Sequence, residues 1–345
     1  MRTITAHAAK DLRIEEHDDP LPGPGQVLIH LERGGICGSD LHYFNHGGFG
    51  TVRLKEPMIL GHEVAGSVAG VGDGVTGLIE GQLVAVSPSR PCGSCRYCVE
   101  GSQNHCLNMR FYGSAMPFPH IQGAFRERLV ADAVQCVPAD GLTNAEAAMA
   151  EPLSVVLHAA KQAGDLMGKR VLVTGCGPIG LLAVTVARTG GALEITATDV
   201  TTFTLAKASE VGADRTINVA DQPDGLAGYT ADKGHFDVLF ECSGIAAALA
   251  AAIPAMRPKG TIIQLGLGGD MTLPVQMMTA KELSLKGSFR FHEEFAIAVQ
   301  LMKARRIDVA PLVTQIVPMA DAVKAFETAS DRGTAIKVHL DFSSP

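Results

Sequence analysis

A glycine-rich turn sets the tightest limit on what this chain can fold into. Gly175-Cys176-Gly177-Pro178-Ile179-Gly180 reads G-x-G-x-x-G, directly after the apolar run VLVT and directly before PIGLLAVTVARTG, whose apolar spacing is helical. In that strand-to-helix setting each glycine has its own task. The first makes the tight turn, the second lets backbone approach a pyrophosphate, and the third lets the helix pack closely on the strand. The helix N-terminus then presents free N–H groups to the phosphates. A plain glycine turn that merely starts a packed helix uses the same residues, so the surrounding pattern matters. From about residue 153 strand-like and helix-like runs alternate: VLVTG, PIGLLAVTVARTG, EITATD, TLAKASEVGA, FDVLFEC, an Ala-rich run from Ile245, then GTIIQLGL. That alternation predicts βαβ units and a doubly wound parallel sheet covered on both faces. Asp199 ends EITATD, 19 residues after Gly180, where an acid accepts hydrogen bonds from the adenosine ribose hydroxyls. No Arg or Lys lies between Asp199 and Lys207 to receive a 2′-phosphate. NAD is therefore expected, with NADP disfavoured.

The first 150 or so residues have a different texture, with short apolar segments such as QVLIHLERGG, HEVAGSVAGVGDGV and GQLVAVSP cut by Gly and Pro. Dense turn signals of this kind predict a mostly β, barrel-like domain. After Phe289 a helix-like EEFAIAVQLMKARR and an extended AIKVHLDF follow, placed to return to that first domain. The expected division is 1–152, with 291–345 returning to it, and 153–290. A formal net charge of -7 gives no broad basic surface, which argues against nucleic acid or anionic membrane as a partner. The apolar run Ile245 to Met256 is too short to span a bilayer, and Pro254 interrupts it. A cytoplasmic enzyme acting on a small molecule is the expectation.

Metal chemistry enters through cysteine. Four of the eight cysteines, Cys92, Cys95, Cys98 and Cys106, crowd into PCGSCRYCVEGSQNHC. Four thiolates at such spacing can close a tetrahedral cage around Zn²⁺, with each sulfur roughly 2.3 Å from the ion. A redox pair or disulfide loop is the other reading, and a reducing compartment disfavours it. Cys37 in CGSDLH, His62-Glu63 in LGHEV and Glu151 in AEPLSV offer a second donor set of mixed type. A catalytic zinc takes three protein ligands and keeps one position open. Singly, these residues also read as a packed thiol, a capped turn imidazole and a solvated carboxylate.

The phrases GGICGSDLH, LGHEV, the four-cysteine lobe, AEPLSV and GCGPIG stand in the order seen in zinc-dependent medium-chain dehydrogenases, and the chain resembles the polyol branch of that family over essentially its whole length. The resemblance implies an α/β protein: a GroES-like, β-rich catalytic domain joined to a Rossmann cofactor domain, with the active site in the cleft between them. It implies one catalytic zinc on Cys37, His62 and Glu63, with Glu151 binding directly or holding the open position's solvent. A structural zinc would sit on Cys92, Cys95, Cys98 and Cys106. Ser39 and His42 match proton-relay positions, and Asp40 matches an acid that orients the ligand imidazole. Gly175, Gly177, Pro178, Ile179, Gly180, Asp199, Leu265 and Arg290 are the implied cofactor contacts. Thr204 departs from the pattern, standing where many relatives carry a basic residue against the adenosine. A homodimer or homotetramer is also implied.

The implied reaction is hydride transfer from a secondary alcohol to the nicotinamide. A metal-bound water falls from a pKa of 15.7 to about 7, and a bound alcohol should follow the same electrostatics. The expected substrate is a sugar acid, L-idonate at its C5 hydroxyl, with sorbitol, xylitol or galactitol as the alternative. Arg110 and Arg290 are the candidate partners of the acid's carboxylate, because a guanidinium clamps carboxylates through two parallel hydrogen bonds. Tyr43 is a candidate contact for its hydroxyls.

Overall fold

The computed structural model describes residues 1–343. Among these residues no helix is long and apolar enough to cross a membrane. The two textures of the sequence become two sheets. In the first, the strands Cys136–Pro138, Leu83–Val86, Glu63–Val71, Gln26–Gly35, Lys337–Asp341 and Val313–Pro318 lie side by side, and Arg128–Asp132 pairs with Gln26–Gly35. All these pairs are antiparallel except the last two strands in the order, which run parallel. A three-stranded sheet of Asp11–Glu16, Arg2–Ala8 and Met58–Ile59 closes the end of this half. Alternation along Gln26–Gly35 places Val27, Ile29 and Leu31 in the core with Phe125, Phe326, Val338 and Leu340.

The second sheet is wholly parallel. Its order is Arg215–Asn218, Glu194–Asp199, Arg170–Thr174, Phe236–Glu241, Met256–Gln264, Ser284–Gly287. In chain order that is 3-2-1-4-5-6, the dinucleotide-binding arrangement, with its switch point between Arg170–Thr174 and Phe236–Glu241. Val171, Leu172 and Val173 are fully buried, as strands covered on both faces require. PIGLLAVTVARTG forms the helix Pro178–Thr189, entered through Gly177 with Pro178 in its first turn.

Three helices join the halves. Asn144–Ala148 packs on the first sheet, and Ala150–Ala163 packs against both Pro178–Thr189 and Glu294–Lys303. Leu153, Val156, Leu181, Phe291, Phe295 and Ala298 share one buried core. Glu151 lies in the first turn of Ala150–Ala163, beside the turn that leads from the first half into the second.

Candidate active site and metal centres

Cys37 precedes the helix Gly38–His46, and its amide donates to Asp40 Oδ2 at 3.0 Å. Asp40 Oδ1 accepts from the Gly61 amide at 3.1 Å, so a single fully buried carboxylate ties the turn carrying Cys37 to the turn carrying His62. Burial raises the Asp40 pKa, and the nearby His62 opposes that rise. His62 Nδ1 is buried without a hydrogen-bond partner, 3.9 Å from Asp40 Oδ1. Gly35 makes room for the third donor: a Cβ there would collide with the Glu63 carboxylate.

One donor atom each from Cys37, His62 and Glu63 lies within 4.8 Å of the others. Glu151 stands outside that compact set but within its electrostatic field. Burial pushes its carboxyl up to about 8, with His62 pulling it down and Glu63 and Cys37 pushing it further up. The Cys37 thiol is pushed up to about 12 by burial and by Glu63. A half-buried thiol and three buried carboxyls (Asp40, Glu63, Glu151) face one buried ammonium, Lys337, whose Nζ lies 2.8 and 2.7 Å from the two Glu63 oxygens and 3.1 Å from the Ile36 carbonyl. Burial presses Lys337 toward its neutral form, but Glu63 and Cys37 outweigh that and raise its pKa. Burial holds Cys37 and Glu151 toward their neutral forms, and a divalent cation with thiolate, imidazole and carboxylate ligands is what this donor set would need to ionise them.

The four-cysteine cluster fits as well. Cys95 Sγ is 3.5 Å from Cys98 Sγ and 4.0 Å from Cys106 Sγ, and all four sulfurs lie within 4.8 Å of one another. Sulfurs held tetrahedrally at roughly 2.3 Å from one zinc stand roughly 3.8 Å apart. All eight cysteines are free thiols, so the disulfide reading has no support here. The amides of Ser94 and Cys95 pull the Cys92 thiol down to about 5.

Ser39 and His42 lie three residues apart on one face of Gly38–His46, the exposed His42 ring 6.1 Å from His46. Desolvation by its neighbours and the charges of His46 and Arg332 hold the His42 imidazole below its ordinary pKa. Tyr43 is buried, and its hydroxyl accepts from the Ala115 amide at 3.1 Å.

The two arginine candidates separate. Arg110 is exposed on the short strand Arg110–Phe111, whose pleat turns it away from the side on which Phe111 meets the His62 ring at 5.5 Å. Arg290 is half-buried. Its guanidinium lies 4.3 Å over Phe111 and 4.9 Å over Phe289, in a field set by Glu151 and Tyr43, and burial lowers its pKa. The structure thus brings Arg290 against Phe111, the ring that meets His62, and leaves Arg110 exposed.

At the glycine turn Gly175 has φ +83, and a Cβ there would sit 2.8 Å from Ser243 Cα. A Cβ on Gly180 would fall onto the Gly175 carbonyl oxygen, while Gly177 faces open space. This is room for a diphosphate beside a helix N-terminus. Asp199 accepts from the Cys176 amide at 2.6 Å and from the Val200 and Thr201 amides at 2.7 and 3.0 Å, so it also shapes the turn. Thr204 is buried, with its hydroxyl donated to the Thr201 carbonyl. Leu265 follows the strand Met256–Gln264, its amide bonded to the Glu241 carbonyl.

Sequence reading passed over three residues. Glu241, fully buried, accepts from Thr174 Oγ1, from both donors of Ser243, from the Gly244 amide and from Gln264 Nε2, linking the ends of three parallel strands at the switch point. A strand-end acid in FDVLFEC was the visible signal. Phe111 and Lys337 carried none, because an aromatic in a short strand and a lysine alternating with apolar residues are commonplace.

Two family models match, that of the alcohol dehydrogenase GroES-like domain over residues 23–141 and that of zinc-binding dehydrogenase over residues 178–304. The chain is 44% identical to L-idonate 5-dehydrogenase (NAD(P)(+)) of Escherichia coli (strain K12), covering 92% of each. It is 38% identical to sorbitol dehydrogenase of Gallus gallus, covering 98% of this chain and 95% of that one. The crystal structure of the Escherichia coli L-idonate 5-dehydrogenase superposes with a TM-score of 0.94 at 42% identity, covering 99% of this chain and 97% of that chain.

Proposed function

The chain belongs to the GroES-like, zinc-binding alcohol dehydrogenases, and on that premise we propose that it oxidises the C5 hydroxyl of L-idonate to the ketone, with NAD as hydride acceptor. Cys37, His62 and Glu63 would hold the catalytic zinc, with Glu151 beside them, and Cys92, Cys95, Cys98 and Cys106 would hold the structural one. Bound zinc supplies Lewis acidity that makes a sugar hydroxyl easier to ionise. Asp40 orients the His62 ring, and Lys337 offsets the Glu63 charge. Ser39 and then His42 take the hydroxyl proton outward along one helix face. Phe111, against the His62 ring, excludes water there, and the turn from Gly175 to Gly180 seats the pyrophosphate of NAD with Asp199 at its adenosine ribose.

The observation that carries the sugar-acid reading is Arg290, a guanidinium held between two aromatic rings, with no carboxylate among its hydrogen bonds or ion pairs within the described residues. It supplies the bidentate contact an aldonate carboxylate needs. A rate panel of L-idonate against sorbitol, xylitol and galactitol, with NAD and with NADP and with zinc counted per chain, tests this. L-Idonate with NAD should give the highest kcat/KM. Arg290→Ala should raise the KM for idonate about tenfold or more, the loss of a charged hydrogen bond, and leave neutral polyols nearly unchanged. A sorbitol rate equal to the idonate rate favours the polyol reading, which the likeness to sorbitol dehydrogenase keeps in view.

The division at 1–152 and 153–290, with 291–345 returning, belongs to the same proposal. The pairing of Lys337–Asp341 with Gln26–Gly35 supports the return. Assembly into a homodimer or homotetramer does too, supported by the exposed edge strand Ser284–Gly287. The cytoplasm, with its reduced thiols, is the matching compartment.

A further inference from the structure

Arg290 has φ +55, in the left-handed region that side-chain-bearing residues avoid. Such a backbone persists where its surroundings over-determine it. Here the fixing contacts come from 185 residues away. Asn104, buried, donates from Nδ2 to the Phe289 carbonyl at 3.0 Å. The His105 ring stacks on the Phe289 ring with centroids 5.9 Å apart and planes at 27°. Phe289 in turn underlies the Arg290 guanidinium, which Phe111 covers at 4.3 Å and Met116 Sδ touches at 3.5 Å. Asn104 and His105 belong to the short turn Gln103–His105, which runs between Cys98 and Cys106.

We infer that the four-cysteine lobe positions the substrate-binding arginine: through Asn104 and His105 it fixes the Phe289 backbone and ring, and so aims Arg290 at the substrate carboxylate. The inference rests on the sugar-acid reading above. A cage of cysteines makes physical sense in this place. The turn Gln103–His105 is three residues long and cannot hold its own shape, whereas flanking residues tied into one cluster leave Asn104 and His105 little freedom. The hydrogen bond of Asn104 and the ring contacts of His105 reach Phe289 and Tyr97, so the effect falls on recognition of the anionic substrate rather than on the reacting hydroxyl.

The test uses the holoenzyme and three readouts: KM and kcat for L-idonate and for xylitol, calorimetric Kd of L-idonate on the enzyme–NADH complex, and zinc per chain. Asn104→Ala and His105→Ala should each raise the KM and Kd for idonate about fivefold, the usual worth of one hydrogen bond or ring contact. The KM for xylitol should change less than twofold, and His105→Phe, which keeps the stacked ring, should restore idonate binding. Should Asn104→Ala lose zinc or fold poorly, the His105→Ala and His105→Phe pair decides. An unchanged idonate KM, or equal rises for idonate and xylitol, overturns the inference. Arg290→Ala separates the two levels. If it is selective for idonate while the Asn104 and His105 variants are silent, only the positioning role fails. If it weakens both substrates equally, the sugar-acid reading fails and takes the inference with it.

Discussion

His339 sits in the strand Lys337–Asp341 with both ring nitrogens buried and without hydrogen-bond partners among the described residues. Burial, with the charges of Lys337 and Arg33 nearby, pushes its pKa down to about 3. The unfolded chain takes up that proton near pH 6.5 and the folded one does not, so the group is silent above pH 6.5 and costs stability progressively below it. At pH 5 the deficit is about 2 kcal/mol. His339→Leu should therefore flatten the loss of unfolding free energy between pH 7 and pH 4.5, by one proton in the slope. Denaturant titrations at stepped pH read this directly, and parallel slopes for the two proteins would refute it. AIKVHLDF shows why such residues escape notice. Alternation marks Val338, Leu340 and Phe342 as core, and they are. It also marks Lys337 and His339 as solvent-facing, yet both are buried, because helices cover the second face of this sheet. A single strand's pattern reports one face and is silent about what lies on the other.

Elements were the most legible scale. PIGLLAVTVARTG, TLAKASEVGA and EEFAIAVQLMKARR appear as the helices Pro178–Thr189, Thr202–Glu210 and Glu294–Lys303, since helical periodicity and Gly or Pro punctuation are local properties. The glycine turn shows how far local logic extends. Gly177 has extended backbone angles (φ -68, ψ -174) that alanine tolerates, and it faces open space. Gly180 abuts the Gly175 carbonyl. Gly177→Ala should leave the unfolding free energy within about 0.5 kcal/mol of the parent while raising the KM for NAD several-fold. Gly180→Ala should cost about 1–3 kcal/mol of stability by overpacking backbone against backbone. Thermal melts beside NAD kinetics distinguish them, and identical behaviour of the two variants would contradict the assigned roles. The contact between Asn104 and Phe289 is of another kind: 185 residues separate its partners, and no periodicity links them.

For the whole molecule, the parallel sheet ends in Ser284–Gly287, four exposed residues whose outer edge no described strand pairs. Leu285 and Phe289 are each more than two-fifths exposed beside it. Open edges with apolar side chains invite pairing, and a second copy of the chain offers the same edge. Leu285→Asp should shift the sedimenting species toward the 36.1 kDa monomer. A wild type that already sediments as a monomer would dismiss the assembly.

The ion pair between Glu63 and Lys337 joins residues 274 positions apart. During synthesis the nucleotide-binding sheet, contiguous from Arg170 to Gly287, can close while the ribosome still holds the tail. Glu63 waits without its counter-ion until residue 337 has emerged and its strand has slotted beside Gln26–Gly35. The buried charge of Glu63 is thus balanced only once a strand from far along the chain has joined the first sheet, so the Cys37, His62 and Glu63 donor set depends on that late-emerging strand.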